Sequence, residues 1–374
     1  MNITLPKEKL YTGLKIVERI VGKSLNLPIL NNIYLAATKN FLNLKSTDLE
    51  IGINWWGLAK IEKEGSVVVP SKILTNFIGF LPEKPINLKL EKMDLKIFCE
   101  NYQTNIKCLS SKEYPIIPET QESFKTQINN KEFVEGLESV IDYISLSTTK
   151  PEISGIYFGF KKNQLILTAT DSFRLGEKKI NLKEGLKKEF SFILPNKTAR
   201  ELINILKTKE NLVNFYYSPT QVTFEVFSDE VKHPEIQIVS RLIEGDYPKY
   251  QEIIPKNYTT QILLPKQGFL QQLKSASLFS SKINEIKIKI DSRDKKIFIY
   301  SQNPELGEFK SFLPCQIKGK DLTTSFNWKF LIEGINNIKT PEIIFELNGE
   351  DGPGVVKPLN DDSFIYLVMP IKTS

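Results

Sequence analysis

The segment TATDSFRL, residues 168–175, sets Thr170, Asp171, Ser172 and Arg174 within a few positions of one another. Hydroxyl, carboxylate and guanidinium groups in such company are used in acid–base and nucleophilic chemistry. That chemistry also needs a base, a metal or a second carboxylate within hydrogen-bond reach. The chain has one histidine, His233, in the charged stretch DEVKHPEI, which reads as a solvated loop position rather than a general base. An aspartate that follows an apolar strand commonly bonds its own downstream backbone and makes a turn. Asp171 is therefore expected to form a turn, with no catalytic role.

The remaining candidates for chemistry point the same way. Cys99, Cys108 and Cys315 are too few and too scattered for a disulfide framework or a zinc site. The glycine-rich NGEDGPG, residues 348–354, lacks the Lys-Ser or Lys-Thr that completes a phosphate cradle. Glu350, Asp351, Asp361 and Asp362 could draw a divalent ion, but solvated loop charge is the simpler account. No catalytic residue, metal or cofactor is expected.

What positions these residues is a long-period repeat. ITLPKEKLYTGLKIVERIV (3–21), QINNKEFVEGLESVIDYI (127–144) and QILLPKQGFLQQLKSASLFS (261–280) each read as strand, polar turn and amphipathic helix. Leu10, Leu14, Val17 and Val21 map onto Phe133, Leu137, Val140 and Ile144, then onto Phe269, Leu273, Ala276 and Ser280. That spacing is one helix face.

A second unit recurs in the same order as VVVPSKILTNFIGFLPE (67–83), FILPNKTARELINILKT (192–208) and TSFNWKFLIEGINNIKT (324–340). Leu74, Ile78 and Leu81 map onto Ala199, Ile203 and Leu206, and these onto Leu331, Ile335 and Ile338. Ser71 and Asn196 are expected to cap their helices. Alternating strands fill the intervals, and Thr47-Asp48 takes the place in the first repeat that Thr170-Asp171 takes in the second. The fold class is thus α+β. It comprises three similar domains at 1–124, 125–256 and 257–374, each with two helices on antiparallel sheets of roughly eight short strands.

A length of 374 residues suits two or three domains. No run of about eighteen apolar residues marks a membrane span. The N-terminus lacks the basic-then-apolar form of a secretory signal. With so few cysteines, a reducing, cytoplasmic setting is expected. The formal net charge of +6 is modest, so the placement of basic residues says more than their number.

LPILNNIYL (27–35), TATDSFRL, GDYPKYQEIIPK (245–256) and the terminal YLVMPIK, taken in order, resemble the bacterial DNA polymerase III beta subunit family, the DNA sliding clamps. The resemblance spans essentially the whole chain. It implies a head-to-tail homodimeric ring of six similar domains, with helices lining the hole and duplex DNA passing through. It also implies a pocket for short peptides of the replicative polymerase, the clamp loader and other partners carrying a clamp-binding motif. Carried over by position, that pocket comprises Ile153, Thr170, Ser172, Phe173, Arg174, Leu175, Pro248, Ile253, Leu367, Met369, Pro370 and Ile371. Mainly apolar side chains with a few polar ones suit a peptide cleft better than a hydrolytic site, and Met369 suits a pocket shared by several partners.

Three departures from the family pattern stand out. Gly-His at the corner is Ser172-Phe173 here, a usually basic loop position is Glu252, and the chain runs on through Thr373 and Ser374. A more apolar, less basic cleft is expected. The resemblance further implies a dimer interface of Lys72, Thr104 and Ile106 against Leu278 and Phe279.

A protein that holds DNA yet moves along it cannot read base edges, whereas phosphate contacts are sequence-independent and exchangeable. The helix faces opposite the apolar stripes carry Lys15, Arg19, Lys197, Arg200, Lys207, Lys274 and Lys329 as DNA-facing candidates, with Lys23 in the following loop. The third helix departs from this, with Glu132, Glu135, Glu138 and Asp142. Two other function classes remain open at this point. A metal-dependent nucleic-acid-processing enzyme would need a convergent acidic cluster. A peptide-binding repeat adaptor would bind partners without encircling DNA.

Overall fold

Among the described residues every α-helix follows a strand without an intervening loop, and in most cases a proline marks the joint. The helices are α1 (Lys7–Glu18), α2 (Ser71–Phe80), α3 (Asn130–Val140), α4 (Asn196–Leu206), α5 (Lys266–Ser277) and α6 (Trp328–Asn336). Pro6, Pro70, Pro195 and Pro265 end the preceding strands of α1, α2, α4 and α5. Proline fixes φ and has no donor to lose where the helix starts. These features come from a computed structural model, which describes residues 1–22, 26–118, 124–147, 149–183, 185–186, 188–228 and 233–372.

The proline joint corrects the expected caps. Ser71 is the first residue of α2, with Pro70 at the cap, and its buried hydroxyl has no hydrogen-bond partner. Asn196 is likewise the first residue of α4 rather than the residue before it. A capping side chain occurs where asparagine replaces the proline: Asn327 accepts from the Lys329 amide at 3.0 Å at the start of α6.

Four antiparallel sheets carry the helices. The first runs Lys60–Lys63, Asn2–Pro6, Pro85–Glu91, Asp94–Cys99, Tyr102–Lys107. The second runs Phe124–Asn129, Leu212–Tyr217, Gln221–Phe227, Pro234–Arg241, Ile51–Leu58, Phe41–Thr47, Asn32–Thr38, Gly65–Pro70. Both belong to one compact unit, residues 1–134 with 197–242. The third sheet runs Phe190–Pro195, Gly155–Lys161, Gln164–Thr170, Arg174–Asn181, Phe364–Val368, Gly354–Pro358, Glu342–Leu347, Thr260–Pro265, Gln316–Gly319. The fourth runs Gly307–Pro314, Lys296–Asn303, Glu285–Asp291, Leu322–Asn327. These form the other unit, 135–196 with 243–374.

The apolar stripes bury as expected, with two shifts of phase. Leu10, Leu14 and Val17 of α1 are fully buried, but α1 ends at Glu18 and Ile20 takes the inward place expected of Val21. In α4 the buried apolar residues are Ala199, Leu202, Ile205 and Leu206, while Ile203 is half-buried. The large Trp55 ring fits against α1 because position 13 is glycine. A Cβ there would lie 2.4 Å from a ring carbon. Among the described residues no helix is long and apolar enough to cross a membrane.

Candidate peptide pocket and nucleic-acid face

The TATDSFRL corner is a turn built by its own side chains. Asp171 Oδ1 accepts from the amides of Phe173 and Arg174, both at 3.0 Å. Thr170 Oγ1 donates to the Arg174 carbonyl at 2.7 Å and accepts from the Ser172 amide at 3.2 Å. In the first repeat, Asp48 Oδ1 accepts from Glu50 and Ile51, and Thr47 Oγ1 bonds Ile51 and Leu49 in the same pattern. Both turns hold one residue in the left-handed region, Leu49 at φ 78° and Ser172 at φ 79°. Asp171 is the turn former that its sequence context predicts.

The turn sorts its neighbours by strand alternation. Leu175 pairs with Leu367, and Leu367 with Val355, so three buried aliphatic side chains line up across the strands. Tyr250 packs on this cluster, with Tyr157, Tyr247 and Ile254 around it. The Tyr250 hydroxyl donates to the buried carboxylate of Glu177 at 2.6 Å. Burial and that carboxylate push the Tyr250 phenol far up, so it stays a donor across the physiological range.

Arg174 is one position out of phase and its guanidinium turns away from that cluster. It bonds Asp171 Oδ2 at 3.0 Å and the Asp142 carbonyl at 3.1 Å, and pairs with Glu333. The rings of Tyr143 and Phe330 flank it at 5.4 and 4.4 Å. Arg174 therefore buttresses the corner. Tyr143, Phe330 and Glu333 are absent from the sequence-derived set, and nothing in their local context marks them.

Of the other expected pocket residues, Phe173 is 63 % exposed at the tip of the turn, and its carbonyl accepts from the Met369 amide at 2.8 Å. Met369, Pro248, Ile253 and Ser172 are exposed, Pro370 and Ile371 half-buried, and Thr170 and Ile153 buried. The Ile371 amide bonds the Ser325 carbonyl at 2.8 Å, which ties down the end of the described chain. Thr373 and Ser374 lie outside the described residues.

His233 is not the solvated loop residue that its charged neighbours imply. Its ring stacks on Phe41 at 4.8 Å, meets Trp56 edge-on at 4.9 Å, and Nδ1 lies 2.7 Å from the Pro234 carbonyl. Its apolar partners are remote in sequence, so the local charge misleads. Burial pushes the Cys108 and Cys315 thiols up to about 11, which keeps them protonated. Among the described residues no three His, Cys, Asp or Glu side chains gather as a metal would require.

The expected DNA-facing cations Lys15, Arg19, Lys197, Arg200, Lys207, Lys274 and Lys329 are all solvent-exposed, and Lys23 lies outside the described residues. Arg19 Nε lies 2.5 Å from Glu201 Oε2, Lys15 lies 3.6 Å from Glu18, and Lys197 pairs with Asp48. On the acidic α3, Glu135 pairs with Lys339 at 2.8 Å, giving one of its carboxylates a structural partner.

Family models for the DNA polymerase III beta subunit match residues 1–118 as the N-terminal domain, 127–249 as the central domain and 251–372 as the C-terminal domain. The chain belongs to the DNA polymerase III beta subunit family. Beta sliding clamps of Staphylococcus aureus and Bacillus subtilis are 28% and 26% identical to it, each over the full length of both chains. The crystal structure of the DNA polymerase sliding clamp from Bacillus subtilis superposes with a TM-score of 0.94 at 25% identity, again covering all of both chains. A beta subunit from Thermotoga maritima shares the fold with a TM-score of 0.90 at 24% identity. Clamps of this family are processivity factors and not catalysts, in keeping with a corner whose carboxylate and guanidinium are consumed in holding a turn.

Proposed function

We propose that two copies of this chain close head to tail as a homodimeric ring around duplex DNA, slide without sequence preference, and tether the replicative polymerase and other partners. The boundaries 1–124, 125–256 and 257–374 then mark three clamp domains per chain, working in the cytoplasm.

The observation that carries this reading is the pairing between repeats. Pro234–Arg241, the last strand of the second repeat, pairs antiparallel with Ile51–Leu58 of the first. Phe364–Val368, the last strand of the third, pairs with Arg174–Asn181 of the second. By the same equivalence, Tyr102–Lys107 of the first repeat calls for Gly307–Pro314 of a third. Those two strands are each left at the edge of a sheet. Open edges attract a partner strand unless protected, and a rotation that joins them head to tail closes a ring.

Exposed apolar side chains occur in both units. Ile73 and Phe80 on α2 belong to the first unit, and Leu278, Leu306 and Phe312 to the second. Lys72 is exposed, Thr104 and Phe279 are half-buried, and Ile106 points into its own core, so its contribution to the interface is through its strand. Low-resolution particle images test the proposal. A ring with an opening wide enough for a double helix is expected, and a solid or open particle at high protein concentration counts against it.

The pocket reading rests on the buried Leu175–Leu367–Val355 floor beside the exposed Phe173, Met369 and Ile253. Phe173→Ala is expected to weaken binding of a clamp-binding-motif peptide by about tenfold or more, as loss of an aromatic anchor does. Calorimetry reads this directly, and unchanged affinity removes Phe173 from the pocket.

A further inference from the structure

We infer that Glu201 and Asp48 act as intramolecular rivals of the DNA phosphates, holding back Arg19 and Lys197 so that the ring slides on a weakened grip. This inference rests on the inner-face reading of α1 and α4 proposed above.

Arg19 follows the end of α1, and Glu201 sits on α4 of the same unit. Their 2.5 Å contact is a charge-assisted bond. The Glu201 side chain keeps only 16 % exposure, so its hold on Arg19 is less screened by salt than a contact made in open solvent. Asp48 is fixed more firmly still. Its Oδ1 is committed to the Glu50 and Ile51 amides, which leaves Oδ2 facing Lys197. Lys15 has a weaker tie to Glu18 at 3.6 Å.

A phosphate must displace these carboxylates, or share their cations, before it can be neutralised. The electrostatic part of binding grows with the number of phosphates a protein neutralises, so the effective number falls below the count of basic side chains. The third repeat differs. Among the described residues Lys274 and Lys329 have no ion pair, and Lys329 lies over the Trp328 ring at 5.5 Å. The steadier phosphate contacts therefore fall to α5 and α6, while Arg19 and Lys197 act as a reserve.

The test is equilibrium binding of the full-length dimer to a short duplex DNA across a salt series, read by fluorescence anisotropy. Glu201→Gln is expected to tighten binding about three- to tenfold at ~0.1 M salt and to steepen the dependence of log K on log salt by roughly 0.9 for each freed arginine that reaches a phosphate. Asp48→Asn is expected to act in the same direction. Glu201→Asp keeps the charge and should restore the original slope. Glu91→Gln is the matched control: it removes one charge and frees Lys89 and Lys96 on a strand turn, off the helices.

A Glu201→Gln protein with unchanged or weaker binding, or with no more tightening than Glu91→Gln, overturns the inference. The double charge reversal Lys15→Glu with Arg19→Glu separates this from the reading beneath it. If that variant binds DNA more weakly while Glu201→Gln does nothing, only the rivalry fails. If it binds as well as the original, the inner-face assignment itself fails.

Discussion

Leu278→Asp is expected to leave the chain folded and to convert the dimer to monomers. Leu278 directly follows α5 and is 69 % exposed in the single chain, so a charge there disturbs no core of its own. In the proposed ring it lies at the closing edge, near the half-buried Phe279 that stacks on Phe309. Loss of a buried leucine costs about 1.5–3 kcal/mol, and burying an unpaired carboxylate adds to that. A ring carries the substitution at both interfaces. A penalty of about 3 kcal/mol at each weakens the dimer by roughly four decades. Analytical ultracentrifugation reads the change in mass, and far-UV circular dichroism should stay the same. A variant that remains dimeric at nanomolar concentration would place the interface elsewhere.

Arg174→Ala carries the second large effect, on stability and partner binding together. The arginine side chain is 12 % exposed and holds Asp171 and Glu333 while two rings flank it. Breaking a buried ion pair costs about 3–5 kcal/mol. Glu333 is 46 % exposed and partly solvated already, which brings the expectation down to about 2 kcal/mol. In a unit of this size that lowers Tm by about 5 °C. Peptide affinity should fall too, because Asp171 sets the Phe173 amide and the Phe173 carbonyl anchors Met369. Arg174→Lys restores charge without the planar fork and should recover stability only in part. A melting point unmoved by Arg174→Ala would show that the guanidinium supports nothing.

Local chemistry made the corner legible and distance hid its supports. The Asp171 turn is written within four residues, and its twin at Asp48 doubles the signal. The helix stripes are equally legible, since burial at Leu10, Leu14, Phe133 and Leu137 needs only the period of a helix. Arg174 finds Glu333 and Phe330 across a stretch of chain with no periodic trace, and Arg19 finds Glu201 in another repeat. His233 shows the opposite error, where nearby charges suggested solvent and remote rings supplied the packing. The closing edges came from neither motif nor composition. They appear once strand order shows which end strand of each repeat has found its mate and which has not.

Topological linkage, rather than strength of grip, is what keeps such a ring on DNA. The dimer is placed on nicked circular duplex DNA by a clamp loader, and its co-migration with the DNA is followed by gel filtration at a salt concentration that suppresses phosphate contacts. The protein is expected to stay with the circle and to leave once the DNA is cut to a linear form. Equal retention on circle and line, or none on either, would mean that linkage is not what holds the protein on DNA.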